Sequence, residues 1–158
     1  MKQPNFGWSY PPGCSGVPDD YKEERKHTMD ITIQTIEHAD QRYETVGDWQ
    51  FQPTGDLKIK VSDLGDWRLN ALVGVHELVE ALLAKDLNVS EFKVDQFDME
   101  YEKNRKEGDI SEAGDDPTCP VYWQHQIATI IERLLCYEFG IDWAEYDMRV
   151  LQLGKEKE

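Results

Sequence analysis

The chain has 158 residues, which is enough to bury a hydrophobic core as a single domain without disulfide bonds. Its 17 basic and 32 acidic residues give a formal net charge of -15, which argues against nucleic-acid binding. The charge favours the binding of cations, a basic peptide or protein as partner, or simple solubility. No segment approaches the roughly 18 apolar residues of a membrane span, and no secretory signal is visible. Three widely spaced cysteines are typical of a reducing compartment, so we expect a cytoplasmic protein without membrane contact.

Residues 1–26 are rich in proline and glycine, which predicts an extended arm without regular structure. Phe6, Trp8 and Tyr10 alternate along this arm. Because large aromatic side chains gain from burial, we expect them to dock on the body of the protein or on a neighbouring subunit. The second possibility predicts a homo-oligomer held together by the arm.

Residues 27–154 are predicted to form one α+β domain, followed by a solvated tail at residues 155–158. Apolar and polar residues alternate, as in half-buried strands, in three segments: residues 29–34, 49–51 and 57–61. Residues 53–56 predict a turn that joins the last two segments as a hairpin. Residues 43–46 could add a short strand, so the sequence predicts a small antiparallel sheet of three or four strands.

A long helix is predicted over residues 66–87, with Ser62 or Asp63 as its N-cap. A short helix or turn is expected at residues 90–98. The polar segment at residues 103–116 is expected to be a mobile loop, because it holds two glycines and many acidic residues.

A second long helix is predicted over residues 121–139, with Gly140 as its stop. Its apolar residues have the spacing of one buried face: Trp123, Ile127, Ile130, Ile131, Leu134 and Leu135. The opposite side carries a polar line: His125, Thr129 and Glu132. Asp142 can cap a last short helix. The predicted fold is α+β, with the small antiparallel sheet packed on two long helices.

The first long helix carries polar residues at positions that belong in a core. On a helical wheel of about 100° per residue, His76 and Glu80 fall in the middle of the apolar arc, and Glu77 falls at its edge. A buried carboxylate is costly unless it has a partner. Some other group must therefore satisfy His76 and Glu80.

Three interpretations of this motif stay open. In the first, His76 and Glu80 bind a divalent metal, because residues at i and i+4 project from the same helix face, and Glu77 acts as a general base. In the second, His76 hydrogen-bonds Glu80 within the core, or each of the two residues finds another polar partner there. In the third, Glu77 and Glu80 bind Mg²⁺ for phosphate chemistry, as do the similar acidic helices of all-α nucleotide pyrophosphohydrolases.

A metal site at this helix needs a third ligand from further along the chain. His125, near the start of the second long helix, is the leading candidate, and Asp95 and Asp98 are alternatives. Each of these residues could instead face solvent, and the aspartates could cap a helix. Glu132 could orient His125 as an outer hydrogen-bond partner.

The motif His76-Glu77-Leu78-Val79-Glu80 resembles the active helix of zincin-type metallopeptidases. The resemblance covers about one helix and the order of sheet, helix and downstream ligand. It implies a zincin-like fold, zinc as the cofactor, His76 as a ligand and Glu77 as the general base of a peptidase-like hydrolase. The second histidine of the family is Glu80 in this chain, and carboxylates also occur as zinc ligands.

The whole chain is similar to small bacteriophage proteins of uncharacterised function. The features that carry this similarity are the Pro11-Pro12-Gly13-Cys14-Ser15 segment, Trp67-Arg68 before the His76 motif, residues 94–98, the polar line from His125 to Glu132, and Asp142-Trp143. The similarity implies the cytoplasm of a bacterial host and no particular activity. It supports an alternative function, a non-enzymatic phage or regulatory binding or assembly protein with a structural metal or a buried His–Glu pair.

Overall fold

A computed structural model of the chain describes residues 28–106, 109 and 111–154. This part contains three strands and four α-helices: β1 (Ile31–Ile36), β2 (Gly47–Phe51), β3 (Leu57–Ser62), α1 (Trp67–Asp86), α2 (Glu91–Asn104), α3 (Tyr122–Glu138) and α4 (Trp143–Leu153). The predicted α+β class, with a small sheet packed on helices, is confirmed. The arm predicted at residues 1–26 and the tail predicted at residues 155–158 lie outside the described residues. Within the described part, no helix has both the length and the apolar character needed to cross a bilayer.

The sheet has the strand order β1-β3-β2, with β3 in the centre. The predicted hairpin is confirmed, because β2 and β3 pair antiparallel with Trp49 opposite Ile59. The prediction of an antiparallel sheet is wrong for β1, which runs parallel to β3. The end of β1 and the start of β2 both lie beside the end of β3, so residues 37–46 cross over that end and form no fourth strand. Sequence alternation identifies the apolar face of a strand but not its direction.

The hydrophobic core is centred on β3 and α1. Leu57, Ile59 and Val61 alternate along β3 and are almost completely buried. Leu72 and Val73 of α1 belong to the same cluster of buried apolar side chains. The helix that carries the His76 motif is therefore anchored in the core of the fold.

α1 extends over nearly the predicted residues, but its N-cap differs from both predicted caps. The Asp66 carboxylate accepts a hydrogen bond from the backbone N–H of Arg68 at 3.0 Å. Ser62 lies in β3, and the Asp63 carboxylate accepts from the N–H of Gly65 in the preceding turn. Asp66 is therefore the N-cap, and aspartate is one of the residue types preferred at that position.

α2 is longer than the short helix or turn expected at residues 90–98, since it continues to Asn104. It takes up the first residues of the segment at 103–116 that the sequence predicts as a loop. The later part of that segment forms a short 3-10 turn, Ala113–Asp115, which packs against α2 and α3. This turn places acidic residues next to α3.

α3 packs on α1 through the face opposite to the predicted one. Most apolar residues expected in the core are exposed: Trp123, Ile127, Ile130 and Leu134. His125 and Glu132 of the polar line are buried instead. The reason lies on α1, where the buried His76 and Glu80 need polar partners, and this face of α3 supplies them.

Candidate metal centre

Three buried side chains from two helices converge on one point: His76, Glu80 and His125. His76 and Glu80 are one turn apart on α1 and project from the same face. His125 lies in the first turn of α3, which packs directly on α1. One nitrogen or oxygen atom from each side chain lies within 4.8 Å of the other two. The group could hold a metal ion, and its members are the three ligands that the sequence predicts.

The three facing atoms form a small triangle. His125 Nδ1 lies 3.1 Å from His76 Nε2 and 3.2 Å from Glu80 Oε2. The third edge, from His76 Nε2 to Glu80 Oε2, is 3.8 Å. In a tetrahedral site with metal–ligand bonds of about 2.1 Å, neighbouring ligand atoms are about 3.4 Å apart. The triangle therefore has the size of one face of such a site.

Both imidazoles direct their second ring nitrogen at carboxylates. His76 Nδ1 lies 2.9 Å from Glu132 Oε2. His125 Nε2 lies 3.4 Å from Glu112 Oε2 and 3.6 Å from Asp115 Oδ1. Metal-binding histidines commonly have this arrangement, because donation of the N–H to a carboxylate fixes the tautomer and directs the other nitrogen's lone pair at the ion.

Glu132 is an outer partner of His76, whereas the sequence prediction assigned it to His125. Its carboxylate contacts the His76 ring and also accepts a hydrogen bond from the hydroxyl of Tyr146. His125 and Glu132 are two turns apart on α3, a rise of about 10 Å, so the predicted pair is too widely spaced for direct contact. Across the helix interface, His76 comes within hydrogen-bonding distance instead.

The Glu80 carboxylate is fixed by a donor from the sheet. The indole Nε1 of Trp49, on β2, donates a hydrogen bond to Glu80 Oε1 at 3.0 Å. The other oxygen, Oε2, is the one that faces His76 and His125. The sheet, α1 and α3 thus all position the cluster.

The charges in the cluster are strongly coupled. Burial lowers the pKa of His125, but hydrogen bonds to Asp115 and Glu80 outweigh burial and raise it to about 9. Burial likewise lowers the pKa of His76, and hydrogen bonds to Glu132 and Glu80 raise it well above its usual value. Burial raises the pKa of Glu80, but hydrogen bonds from both histidines lower it to about 2. The carboxylates therefore favour positive charge at this point, which protons or a metal ion can supply.

Glu77 lies beside the triangle and is not one of its members. Its carboxylate packs against β2 so closely that a Cβ atom added to Gly47 would lie under 3.0 Å from it. Burial and the negative charge of Glu80 raise the pKa of Glu77 well above its usual value. Glu77 lines the same cavity as the cluster, which places it where it could take a proton from a molecule bound there.

The cluster borders a cavity of about 190 Å³. Carboxylates dominate its polar lining: Glu44, Asp48, Glu77, Glu80, Asp95, Asp98, Glu102, Glu112 and Glu132. Arg105 also lines the cavity but forms an ion pair with Glu102. This excess of negative charge favours a cationic group in the cavity.

Asp95 and Asp98, the alternative ligands, line the cavity but do not belong to the ligand group found among the described residues. Asp95 forms an ion pair with Arg42 at 3.1 Å. Burial and the negative charge of Glu80 raise the pKa of Asp98 to about 7. Both aspartates lie on α2, whereas the ligand group joins α1 to α3, so neither takes the place of His125.

The His125 ring packs against Gly114, in space that a side chain at position 114 would fill. A Cβ atom added to Gly114 would lie under 3.0 Å from His125 Cγ and Nδ1, and Nδ1 is the atom that faces the other ligands. We therefore expect Gly114→Ala to displace the ring and to weaken the binding of added Zn²⁺, used as the probe ion, by about 10- to 100-fold, a loss typical of disturbed ligand orientation. Competition with a fluorescent zinc chelator measures the change.

Gly47→Ala is the matched control for that experiment. The added methyl group would collide with Glu77, which is not a ligand in this assignment. We expect Gly47→Ala to bind the probe ion as tightly as the unmodified chain does. If both variants lost the same amount of affinity for the ion, the assignment of His125 as a ligand and of Glu77 as a carboxylate outside the ligand group would be wrong.

Sequence reasoning missed four residues that hold the cluster: Trp49, Glu112, Asp115 and Tyr146. Glu112 and Asp115 lie in the segment predicted as a mobile loop, where a sequence pattern does not place side chains. Trp49 and Tyr146 are aromatic residues that pack in the core. A signal was available for these two, because a buried indole N–H or phenol O–H needs an acceptor, and Glu80 and Glu132 are acceptors that need donors.

Comparisons with protein-family models, with curated proteins and with solved structures give no match to this chain. The function is therefore inferred from the geometry and charge of the His76, Glu80 and His125 group.

Proposed function

We propose that the protein binds one zinc ion through His76, Glu80 and His125 and uses it in a peptidase-like hydrolysis. The main support is that each imidazole of the triangle has an outer carboxylate on its second nitrogen. Two histidines and one glutamate are a ligand set of catalytic zinc sites, which keep a further position for water or substrate. In the zincin helix the second ligand is a histidine. In this chain that position is Glu80, and the second histidine, His125, comes from further along the chain.

Zinc in this position would supply Lewis-acid chemistry, by polarising a carbonyl and activating a water molecule. Glu77 would accept the proton, because its carboxylate lines the cavity beside Glu80. Glu132 holds the His76 ring in the orientation that the site needs.

We propose a basic peptide or protein segment as the substrate. Carboxylates reach the cavity from β2, α2 and the turn before α3, for example Asp48, Asp98 and Glu112. A lysine or arginine side chain would gain from this concentration of negative charge, while a phosphate group would be repelled.

Glu77→Gln tests the proposed base. Because glutamine keeps the shape but cannot accept the proton, we expect this variant to retain one zinc per chain and to lose at least about 99% of its activity, the order of a general-base contribution. The assay is cleavage of a mixture of lysine- and arginine-containing peptides by the zinc-loaded protein, followed by mass spectrometry. Undiminished cleavage by the variant would show that Glu77 is not the base.

A non-enzymatic protein with a structural zinc is the second candidate. The observation that favours it is the burial of all three ligand side chains and their close mutual contacts. The same peptide assay separates the two functions. Zinc-loaded protein that cleaves none of the peptides, but loses thermal stability when zinc is removed, would support the structural role.

The stability of the zinc-free protein is expected to fall between pH 6.5 and about pH 9. In this range folded His125, with a pKa of about 9, retains a proton that an unfolded histidine with a pKa of 6.5 has released. Since the folded state then binds more protons, the free energy of unfolding decreases as the pH rises. The stabilisation is fully present below pH 6.5.

Zinc affinity is expected to increase as the pH rises from 6.5 to about 9, because the ion must replace the proton on His125. Urea denaturation with a chelator and with excess zinc, at several pH values, measures both quantities. A zinc-free protein whose stability increases steadily up to pH 9 would contradict the assigned protonation of His125.

A further inference from the structure

The outer face of α3 carries a row of large apolar side chains. This row, the α3 seam, consists of Trp123, Ile127, Ile130, Leu134 and Tyr137. These residues are exposed by 72%, 45%, 67%, 61% and 78%, in that order. The opposite face of α3 is already used, since it packs on α1 and supplies His125 and Glu132 to the cluster. The α3 seam thus has no partner among the described residues that would account for its composition.

The spacing of the α3 seam identifies the shape of its partner. The successive intervals are four, three, four and three residues. This is the a and d pattern of a heptad repeat, which gives a narrow stripe suited to another helix. A broader apolar face would suit a sheet or a mixed surface, so the pattern favours a helix with the same spacing.

The area of the α3 seam is large for a free surface. Aromatic side chains alone present about 150–250 Å² each, and together the five exposed side chains offer roughly 600 Å², the upper end for an apolar patch on a monomer. Trp67 is also 70% exposed and contacts Phe139 edge to face at 5.8 Å, just beyond the end of α3. With this extension the surface approaches the roughly 800 Å² per partner of a stable dimer.

The charges beside the α3 seam fit a second copy of the chain. The protein has a net charge of -15, so two copies repel each other over most of their surface. The exposed flanks of the seam carry one basic and one acidic residue, Arg133 and Glu138. They occupy g and e positions five residues apart, the offset at which g and e side chains meet in a parallel pair of helices. Arg133 is held at this flank by the Trp143 ring, 4.6 Å away.

We propose that the protein is a homodimer in which the α3 helices of two copies pair in parallel through the α3 seam. Arg133 of each copy then faces Glu138 of the other at the edge of the interface. The dimer buries the apolar face that the sequence pattern assigns to a core. It also leaves the cavity on the other side of α3 accessible, so it is independent of zinc binding and of hydrolysis.

Sedimentation velocity of the full chain over a range of concentrations tests the interface. We expect a dimer for the unmodified protein and a dissociation constant raised roughly thirtyfold or more by Ile130→Lys, the loss that a central interface residue causes. Phe92→Lys is the matched control, because Phe92 is an exposed apolar residue of α2 away from the seam. This control is expected to leave the dimer intact, and zinc content should be the same in both variants.

A charge exchange tests the parallel orientation. Arg133→Glu alone should weaken the dimer, because it places two acidic side chains opposite each other, and adding Glu138→Arg should restore the dimer. Circular dichroism checks that each variant is folded. A monomer at all concentrations would overturn the proposal and would indicate that residues 1–26 or a different protein cover the seam. A dimer that Ile130→Lys leaves unchanged, or no restoration by the double exchange, would overturn it as well.

Discussion

Replacing His125 by alanine is expected to lower the zinc affinity of the protein by more than about a hundredfold. Loss of an outer carboxylate costs about 10- to 100-fold, and loss of a direct ligand should cost more. In the proposed site His125 is the ligand that joins α3 to α1, and its Nδ1 atom makes the two shortest contacts of the triangle, at 3.1 and 3.2 Å. Without it, His76 and Glu80 form a two-ligand site on one helix.

His38→Ala is the control for this measurement. It also removes one imidazole, but His38 contacts Ser62 Oγ and does not line the cavity of the cluster. Competition titration with a zinc chelator should show unchanged affinity in this control. If His125→Ala bound zinc as tightly as the unmodified protein, the ion would have to use a different set of ligands.

Replacing Glu132 by leucine is expected to destabilise the protein by about 3–5 kcal/mol, the usual cost of removing one partner from a buried charged pair. The carboxylate has two partners in the interior, His76 Nδ1 and the Tyr146 hydroxyl. Leucine satisfies neither of them, although it is similar in size. Because Tyr146 lies on α4, the change disturbs the contacts of α1, α3 and α4 together.

Urea denaturation in the presence of a chelator measures this effect separately from any effect on zinc binding. Glu132→Gln is the control, since the amide oxygen can still accept a hydrogen bond from Tyr146 or His76, and it should recover part of the lost stability. A Glu132→Leu variant as stable as the unmodified chain would show that the contacts of Glu132 do not stabilise the fold.

The central helix and its unusual residues were predictable from sequence because strong local signals agree there. The wheel places His76 and Glu80 in the apolar arc, and both side chains are buried. A continuous apolar pattern with a polar interruption indicates a site, whichever fold surrounds it. His125 was predictable as a candidate ligand for a different reason, namely that no other histidine follows the motif in the sequence.

The orientation of α3 was not predictable from its apolar pattern. The standard inference turns the face of Ile127, Ile130 and Leu134 to the core, but these residues are exposed. The need of His76 and Glu80 for polar partners is the stronger requirement, because an unpaired buried charge costs more than the exposure of an apolar side chain. A prediction that includes this requirement would place the His125 and Glu132 face of α3 against α1. It would then have to accept that the apolar face of α3 is exposed in the single chain.

The parallel pairing of β1 and the positions of Glu112 and Asp115 depend on tertiary structure. Alternation along residues 29–34 is the same for a parallel and an antiparallel strand. Glu112 and Asp115 come to His125 because the turn before α3 packs against α2 and α3, and nothing in their local sequence specifies that contact.

Elemental analysis of the purified full chain, after incubation with zinc and removal of unbound ion, tests the central claim most directly. The proposed site predicts one zinc per chain in the unmodified protein and none in the variant His76→Ala, with both proteins folded by circular dichroism. A folded, unmodified chain that retains no zinc would contradict the site and would leave His76, Glu80 and His125 as a buried hydrogen-bonded cluster.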